Sequence, residues 1–224
     1  MNRVICFVDG FNIYHATDDL DKAPSGAYLN QKQHLKWLDL KALARLFLKP
    51  SSEVLTDVYY FSAFATWRPD AYQRHRAYVA ALTSSGVHVV LGKFKQRDSK
   101  CRRCGAPWIT HEEKQSDVNL AIRLLQLAHT DAFDKAFVMS ADTDLVPVIR
   151  MVKQNFPAKR VEALIPQHRF GSVLEMRQAC DQAIRIKESH LEGCLFPPVV
   201  QNAAGQVIAT RPAKYDPPAP GGPP

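Results

Sequence analysis

Four aspartates stand where a folded chain can gather acidic side chains: Asp9, Asp117, Asp142 and Asp144. Asp9 ends an apolar run, Asp117 opens a helical one, and Asp142 with Asp144 follows another apolar run. Carboxylates brought together repel, so either some hold protons or a cation sits among them; octahedral, oxygen-preferring Mg2+ or Mn2+ suits such a set. A cation held there can activate water and neutralise charge on a phosphoryl group. Phosphodiester hydrolysis is the chemistry this predicts. Taken singly, each aspartate also has a structural use, as a turn residue, an N-cap or a favourable charge at a helix start. It is the set that carries the reading. Asn12 lies three residues past Asp9, near enough to orient a water or a phosphate oxygen, and Ser140 and Thr143 flank the second acidic pair within hydrogen-bonding range.

The elements that must position these residues follow from pattern. Val4 to Val8 reads as a buried strand, and Asp9-Gly10 after it as a turn. Leu38 to Phe47 has helical spacing with Asp39 as cap and Pro50 as stop, and Val54 to Phe64 is β-branched and aromatic, a second strand. Pro69 to Ser85 reads as a helix ended by Gly86, followed by the strand Val87 to Leu91. Ser116 is placed to cap a helix reaching about Thr130. Strand Lys135 to Ser140, helix Leu145 to Gln154, strand Arg160 to Ile165, a short helix after Ser172 and the strand-like Ala183 to Ile186 complete the alternation. Such alternation predicts a three-layer α/β fold, Rossmann-like, with a mostly parallel central sheet covered by helices on both faces. Ligands of such sheets sit at the carboxyl ends of the strands; Asp9, Asp142 and Asp144 follow strands, Asp117 stands at a helix start, and a parallel sheet can bring all four to that one edge.

The totals narrow the class. A chain of 224 residues supports one main α/β domain, expected over 1–191, with a basic insertion at about 93–113 and an extension at 192–224. More than half of the 15 prolines follow Phe196; Val199-Val200 and Gln206 to Ile208 could pair as a short hairpin before a Pro/Gly-rich tail from Asp216. No run has the apolar length of a membrane span, so no membrane partner is expected. The apolar start ends in an aspartate with no small-residue cleavage site, so it is read as a strand rather than a signal peptide. Five cysteines without an export signal predict reduced thiols and a cytoplasmic protein. The +7 formal charge and pI near 9.2 favour polyanionic partners, nucleic acid first.

Three stretches together resemble a known family. Val8-Asp9-Gly10-Phe11-Asn12-Ile13-Tyr14, Glu113-Lys114-Gln115-Ser116-Asp117-Val118 and Ser140-Ala141-Asp142-Thr143-Asp144-Leu145-Val146-Pro147-Val148-Ile149 are similar, in this order, to the signature blocks of NYN domains, the LabA-like branch of the PIN-like nucleases. The resemblance covers Arg3 to about Leu191. It implies a PIN-like fold binding a divalent metal, with Asp9, Asp117, Asp142 and Asp144 holding the ion or its waters, Asn12 supporting them, and Asp9, Asp117 and Asp142 mattering most. Lys114 is implied as a contact to a substrate phosphate.

Cys101-Arg102-Arg103-Cys104-Gly105 has the look of a zinc knuckle, and His111 is near enough in sequence to be a third Zn2+ ligand, but no fourth is evident. A partial or shared zinc site, a reducible disulfide and a bare turn with free thiols all remain open. Around the pair, Lys93, Lys95, Arg97, Lys100, Arg102 and Arg103 face only Asp98, with Phe94 within and Trp108 just after. Cations can follow a phosphate backbone while an aromatic stacks on a base; a solvated hairpin is the plainer alternative. Cys6, Cys180 and Cys194 read as small buried hydrophobes.

The expected function is a metal-dependent ribonuclease, an endoribonuclease acting on single-stranded or structured RNA, with RNA favoured over DNA as partner. Its rivals are a non-catalytic RNA-binding or scaffold module, a phosphatase, and a DNA nuclease using the same acidic site. A homo-oligomer is compatible with the sequence.

Overall fold

The computed structural model describes residues 1–23 and 25–218. Strand β1 (Asn2–Asp9) leads directly into helix α1 (Gly10–Leu20), a helix the turn-like Asp9-Gly10 pair concealed. Helix α2 (Leu40–Arg45) starts where expected: Asp39 Oδ1 accepts from the amides of Lys41 and Ala42 at 2.9 and 3.0 Å. Strand β2 (Glu53–Ser62), helix α3 (Pro69–Ser84) and strand β3 (His88–Leu91) follow. The insertion is an antiparallel ribbon of β4 (Lys93–Lys100) and β5 (Pro107–Lys114). Helix α4 (Ser116–His129), strand β6 (Lys135–Met139), helix α5 (Val146–Asn155), strand β7 (Arg160–Pro166), helix α6 (Leu174–Ala179), strand β8 (Gln182–Ile186) and helix α7 (Glu188–Glu192) complete the alternation.

The central sheet is six-stranded in the order β3-β2-β1-β6-β7-β8, and every neighbouring pair is parallel. The expected layered α/β architecture is therefore the one observed. Strand β1 is apolar from Val4 to Val8 because both its faces are buried there. Val4, Cys6 and Val8 pack with Ile13 of α1, Leu43 of α2 and Leu82 of α3, while Ile5 and Phe7 pack with Leu120 and Leu124 of α4 and Ile149 of α5. From β1 the chain winds outward through β2 and β3; from β6 it winds the other way through β7 and β8. The crevice between the carboxyl ends of β1 and β6 is thus a topological switch point, where such sheets bind ligands.

Beyond α7 the chain returns over the α1–α3 face. Trp37 Nε1 donates to the Pro197 carbonyl at 2.9 Å, and strands β9 (Val199–Gln201) and β10 (Val207–Thr210) pair antiparallel. Phe196, Val200, Ala209 and Tyr215 are buried in the same core cluster as Trp37 and Leu38. The part of the expected Pro/Gly-rich tail from position 219 on lies outside the described residues.

Candidate active site

Asp9 sits at the switch point as the last residue of β1 and the N-cap of α1. Its Oδ1 accepts from the Asn12 amide at 3.0 Å and its Oδ2 from Ser140 Oγ at 2.8 Å. The cap and the site are therefore the same residue, because a carboxylate has lone pairs for both. Ser140, fully buried just past β6, also accepts from the Asp142 amide at 3.0 Å. Asp142 in turn caps a short 3-10 turn (Thr143–Leu145), its Oδ1 accepting from the Asp144 amide at 2.9 Å. Asn12 reaches across from α1, where its Oδ1 accepts from the Ala141 amide at 3.0 Å. One chain of hydrogen bonds thus ties the first turn of α1 to the loop after β6.

Asp117 comes from the first turn of α4. Ser116 was expected to cap that helix, but it is the first helical residue, and its hydroxyl donates to Glu113 instead. The cap position falls to Gln115, whose backbone is left-handed at φ +82°. A non-glycine residue rarely holds that conformation. Here it makes the sharp turn from β5 into α4 that presents both Glu113 and Asp117 to the site.

Carboxylate oxygens of Asp9, Asp117 and Asp142 lie within 4.8 Å of one another. Burial pushes the Asp9 carboxyl up to about 6, with the charges of Asp117 and Asp142 adding to the rise while the bonds from Asn12 and Ser140 oppose it. Asp117 is raised too, by partial enclosure and then by Asp142 and Asp144. Glu113, half-buried, is pushed up to about 7 by burial, with Asp9 and Asp117 contributing. Such crowding is what a divalent cation relieves, and the all-oxygen donor set fits a hard ion. Asp144 stands at the edge: it adds repulsion to Asp117 but is not one of the three residues whose oxygens converge. Thr143 is exposed on the same turn.

The remaining candidates are not brought into this cluster. Lys114 pairs with Glu112 at 3.0 Å, and Arg97 pairs with the same carboxylate at 3.0 Å. In the β4–β5 register, Lys93, Lys95 and Arg97 alternate with Phe94, so they share the opposite face of the ribbon from Phe94 and Glu113. Arg102 and Arg103 are exposed at the ribbon tip. His111 does not join Cys101 and Cys104: it lies four residues down β5 from the tip and stacks flat on Trp67 at 3.7 Å. Among the described residues, the only set of three or more potential ligands that converges is the aspartate trio. Cys101 and Cys104 are free thiols on a tight turn closed by Gly105 at φ +72°.

Residues 3–187 match the NYN domain family. The chain belongs to the NYN domain family. Its acidic trio therefore occupies the switch point of a domain in the PIN-like nuclease superfamily. Over 92 residues this NYN protein is 30% identical to the 6-hydroxy-3-succinoylpyridine 3-monooxygenase HspA of Pseudomonas putida (strain DSM 28022 / S16), a match covering 40% of this chain and 29% of that enzyme. The chain thus spans less than a third of that relative's length. The fold is similar to the crystal structure of a protein of unknown function from Vibrio parahaemolyticus RIMD 2210633, with a TM-score of 0.53 and 16% identity over 87% of this chain and 96% of the other. Among the described residues, no helix is long and apolar enough to cross a membrane.

Two features of the NYN site escaped the sequence. Glu113 was visible only as part of a motif; its signal was the period-two step His111, Glu113 along a strand, which puts both on one face. Arg169, after β7, is paired with Asp19 and lies 3.4 Å from the Asn12 carbonyl, placing a cation at the same sheet edge. No local pattern marks it.

Proposed function

We propose that this NYN protein is a divalent-metal-dependent ribonuclease that hydrolyses phosphodiester bonds of RNA from its Asp9, Asp117 and Asp142 centre. The observation that carries the reading is the convergence of these three carboxylates within 4.8 Å at the switch point of the sheet. Mg2+ or Mn2+ is the cation these oxygens suit, and when bound it supplies charge neutralisation at the phosphate and a more acidic water. The chain's own residues do the rest. Ser140 and Asn12 fix the Asp9 carboxylate and the loop bearing Asp142, so the acidic oxygens are held before substrate arrives. Glu113, with its carboxyl near 7, is placed beside them to take a proton from the attacking water. Arg169 supplies a cation for a flanking phosphate, and Lys93 and Lys95, on the ribbon face turned from Glu113 with Arg97 and Lys114, serve phosphates farther along the strand. Asp144, at the edge of the cluster, adds negative charge that favours a bound cation, and Thr143 lies beside it. An acidic edge open to solvent suits a strand that can be splayed out, which favours single-stranded RNA over duplex.

The relative's name, together with the aromatic cavity beside Asp9 described below, favours one second reading, in which a free heteroaromatic molecule is the substrate. A substrate panel separates the two. Purified protein with Mn2+ is incubated with labelled single-stranded RNA, the matching DNA, a nucleoside monophosphate and a hydroxypyridine. The ribonuclease reading requires internal cuts in RNA that stop with EDTA; phosphate release from the monophosphate alone, or turnover of the pyridine alone, ends it.

A further inference from the structure

A cavity of about 300 Å3 opens beside the acidic centre, and no residue of the cluster accounts for it. It begins at Gly10, the residue after Asp9. There α1 passes so close to Tyr60 that a Cβ on Gly10 would lie 2.3 Å from the ring. One wall is aromatic: Phe94 meets Trp67 edge-on at 4.6 Å and Phe11 at 6.1 Å, and His111 lies flat on Trp67. Phe94 is also the cross-strand partner of Glu113, so this wall runs straight into the acidic cluster.

The volume is at the lower end for small-ligand pockets, roughly 300–1,000 Å3, room for one flat ring system rather than an extended molecule. The floor carries polar groups without charge. Tyr60 and His75 bond to each other at 3.2 Å; burial raises the tyrosine hydroxyl and lowers the histidine to about 4, so both are neutral at neutral pH. A phosphate finds no unpaired charge on this floor, because the one cation there, Lys36, is already held by Asp18 and Gln33, whereas the edge of a neutral heterocycle finds donors and acceptors. The charge not already paired is at the rim, where Arg68 is exposed.

We infer that this cavity is a nucleobase subsite, which takes the unpaired base next to the scissile phosphate and stacks it against Trp67 and Phe94. The inference rests on the ribonuclease reading for its occupant. Seating a base here requires it to leave any helix it belongs to, so the cavity selects single strands and loops, and it fixes which phosphate meets the carboxylates.

The test is a double-mutant cycle on binding. Affinity of the Asp142→Asn protein is measured for a six-nucleotide RNA and for the same sugar-phosphate chain without bases, each with and without Trp67→Ala. Stacking on an aromatic is worth about 1–3 kcal/mol per base, so Trp67→Ala weakens binding of the intact RNA by roughly tenfold. Binding of the baseless chain stays within about twofold, and Trp67→Phe restores the intact RNA. Trp67 is 38% exposed, so its loss leaves the core standing. Equal weakening of both ligands, or of neither, overturns the subsite. So does quenching of tryptophan emission by 3-hydroxypyridine, lost in Trp67→Phe, in a protein whose RNA affinity ignores the bases, which assigns the cavity to a free ring. Cleavage by the unsubstituted protein with Mn2+ is scored separately: base-dependent binding without cutting leaves the subsite and removes the nuclease, and the reverse removes only the subsite.

Discussion

Ser140 Oγ lies 2.8 Å from Asp9 Oδ2, a buried contact between the carboxyl ends of the two central strands. The same oxygen accepts from the Asp142 amide, so one hydroxyl sets two of the three clustered carboxylates. Ser140→Ala leaves a buried carboxylate oxygen and a backbone amide each short of a partner. The expected cost is about 1–3 kcal/mol of stability by denaturant titration. RNA cleavage falls by at least tenfold, because both carboxylates lose their fixed orientation. Full activity in this variant would show that the bridge positions nothing.

Asp9 sets a pH dependence whose sign can be worked out. Its folded carboxyl titrates near 6, above the ordinary value of about 4 in the unfolded chain, so between these values the folded state binds more protons. Stability therefore falls as pH rises from about 4 to 6 and stays lowered above. In EDTA, Asp9→Asn should be more stable than the parent by up to about 3 kcal/mol at pH 7, with the gap closing towards pH 4. Excess Mn2+ should narrow the gap at pH 7 by stabilising only the parent. A gap that does not change with pH removes this account of Asp9.

Gly10 is required by proximity, since an added Cβ meets the buried Tyr60 ring. Gly10→Ala should destabilise by about 1–3 kcal/mol despite the better helix propensity of alanine. Calorimetry should show a melting temperature lower by about 2–4 °C for each kcal/mol.

The opposite edge of the sheet supplies a contrast. Lys135 is buried between Glu53 at 2.5 Å and Glu162 at 3.2 Å, at the amino ends of the strands and away from the acidic centre. Lys135→Met strands two buried carboxylates and should cost about 3–5 kcal/mol. The protein that remains folded at low temperature should cut RNA at the parental rate. A selective loss of turnover would tie this ion triad to the site.

How far the sequence spoke depended on how local each signal was. Asp9 and Asp142 were legible because a parallel sheet gathers whatever follows its strands at one edge, and Asp117 because it opens a helix whose period shows in the sequence. Helix α1 was hidden because Asp9-Gly10 looks like a turn, whereas the glycine is there to let the helix pass Tyr60. His111 was read with the cysteines on sequence distance, yet an eight-residue strand carries it away from them and onto Trp67. The aromatic cavity was out of reach for the same reason. Phe11, Trp67, Phe94 and His111 come from separate elements, and no periodicity links them.

The aspartate trio is the proposed centre of cleavage. The most direct measurement is single-turnover cleavage of a labelled single-stranded RNA in Mn2+ by the parent and by Asp142→Asn, with EDTA as control and circular dichroism to confirm the fold. Metal-dependent cutting is expected to drop by roughly a hundredfold to a thousandfold in the folded variant, the loss seen when a transition-state electrostatic partner is removed. Cutting at the parental rate by Asp142→Asn would contradict the trio's role.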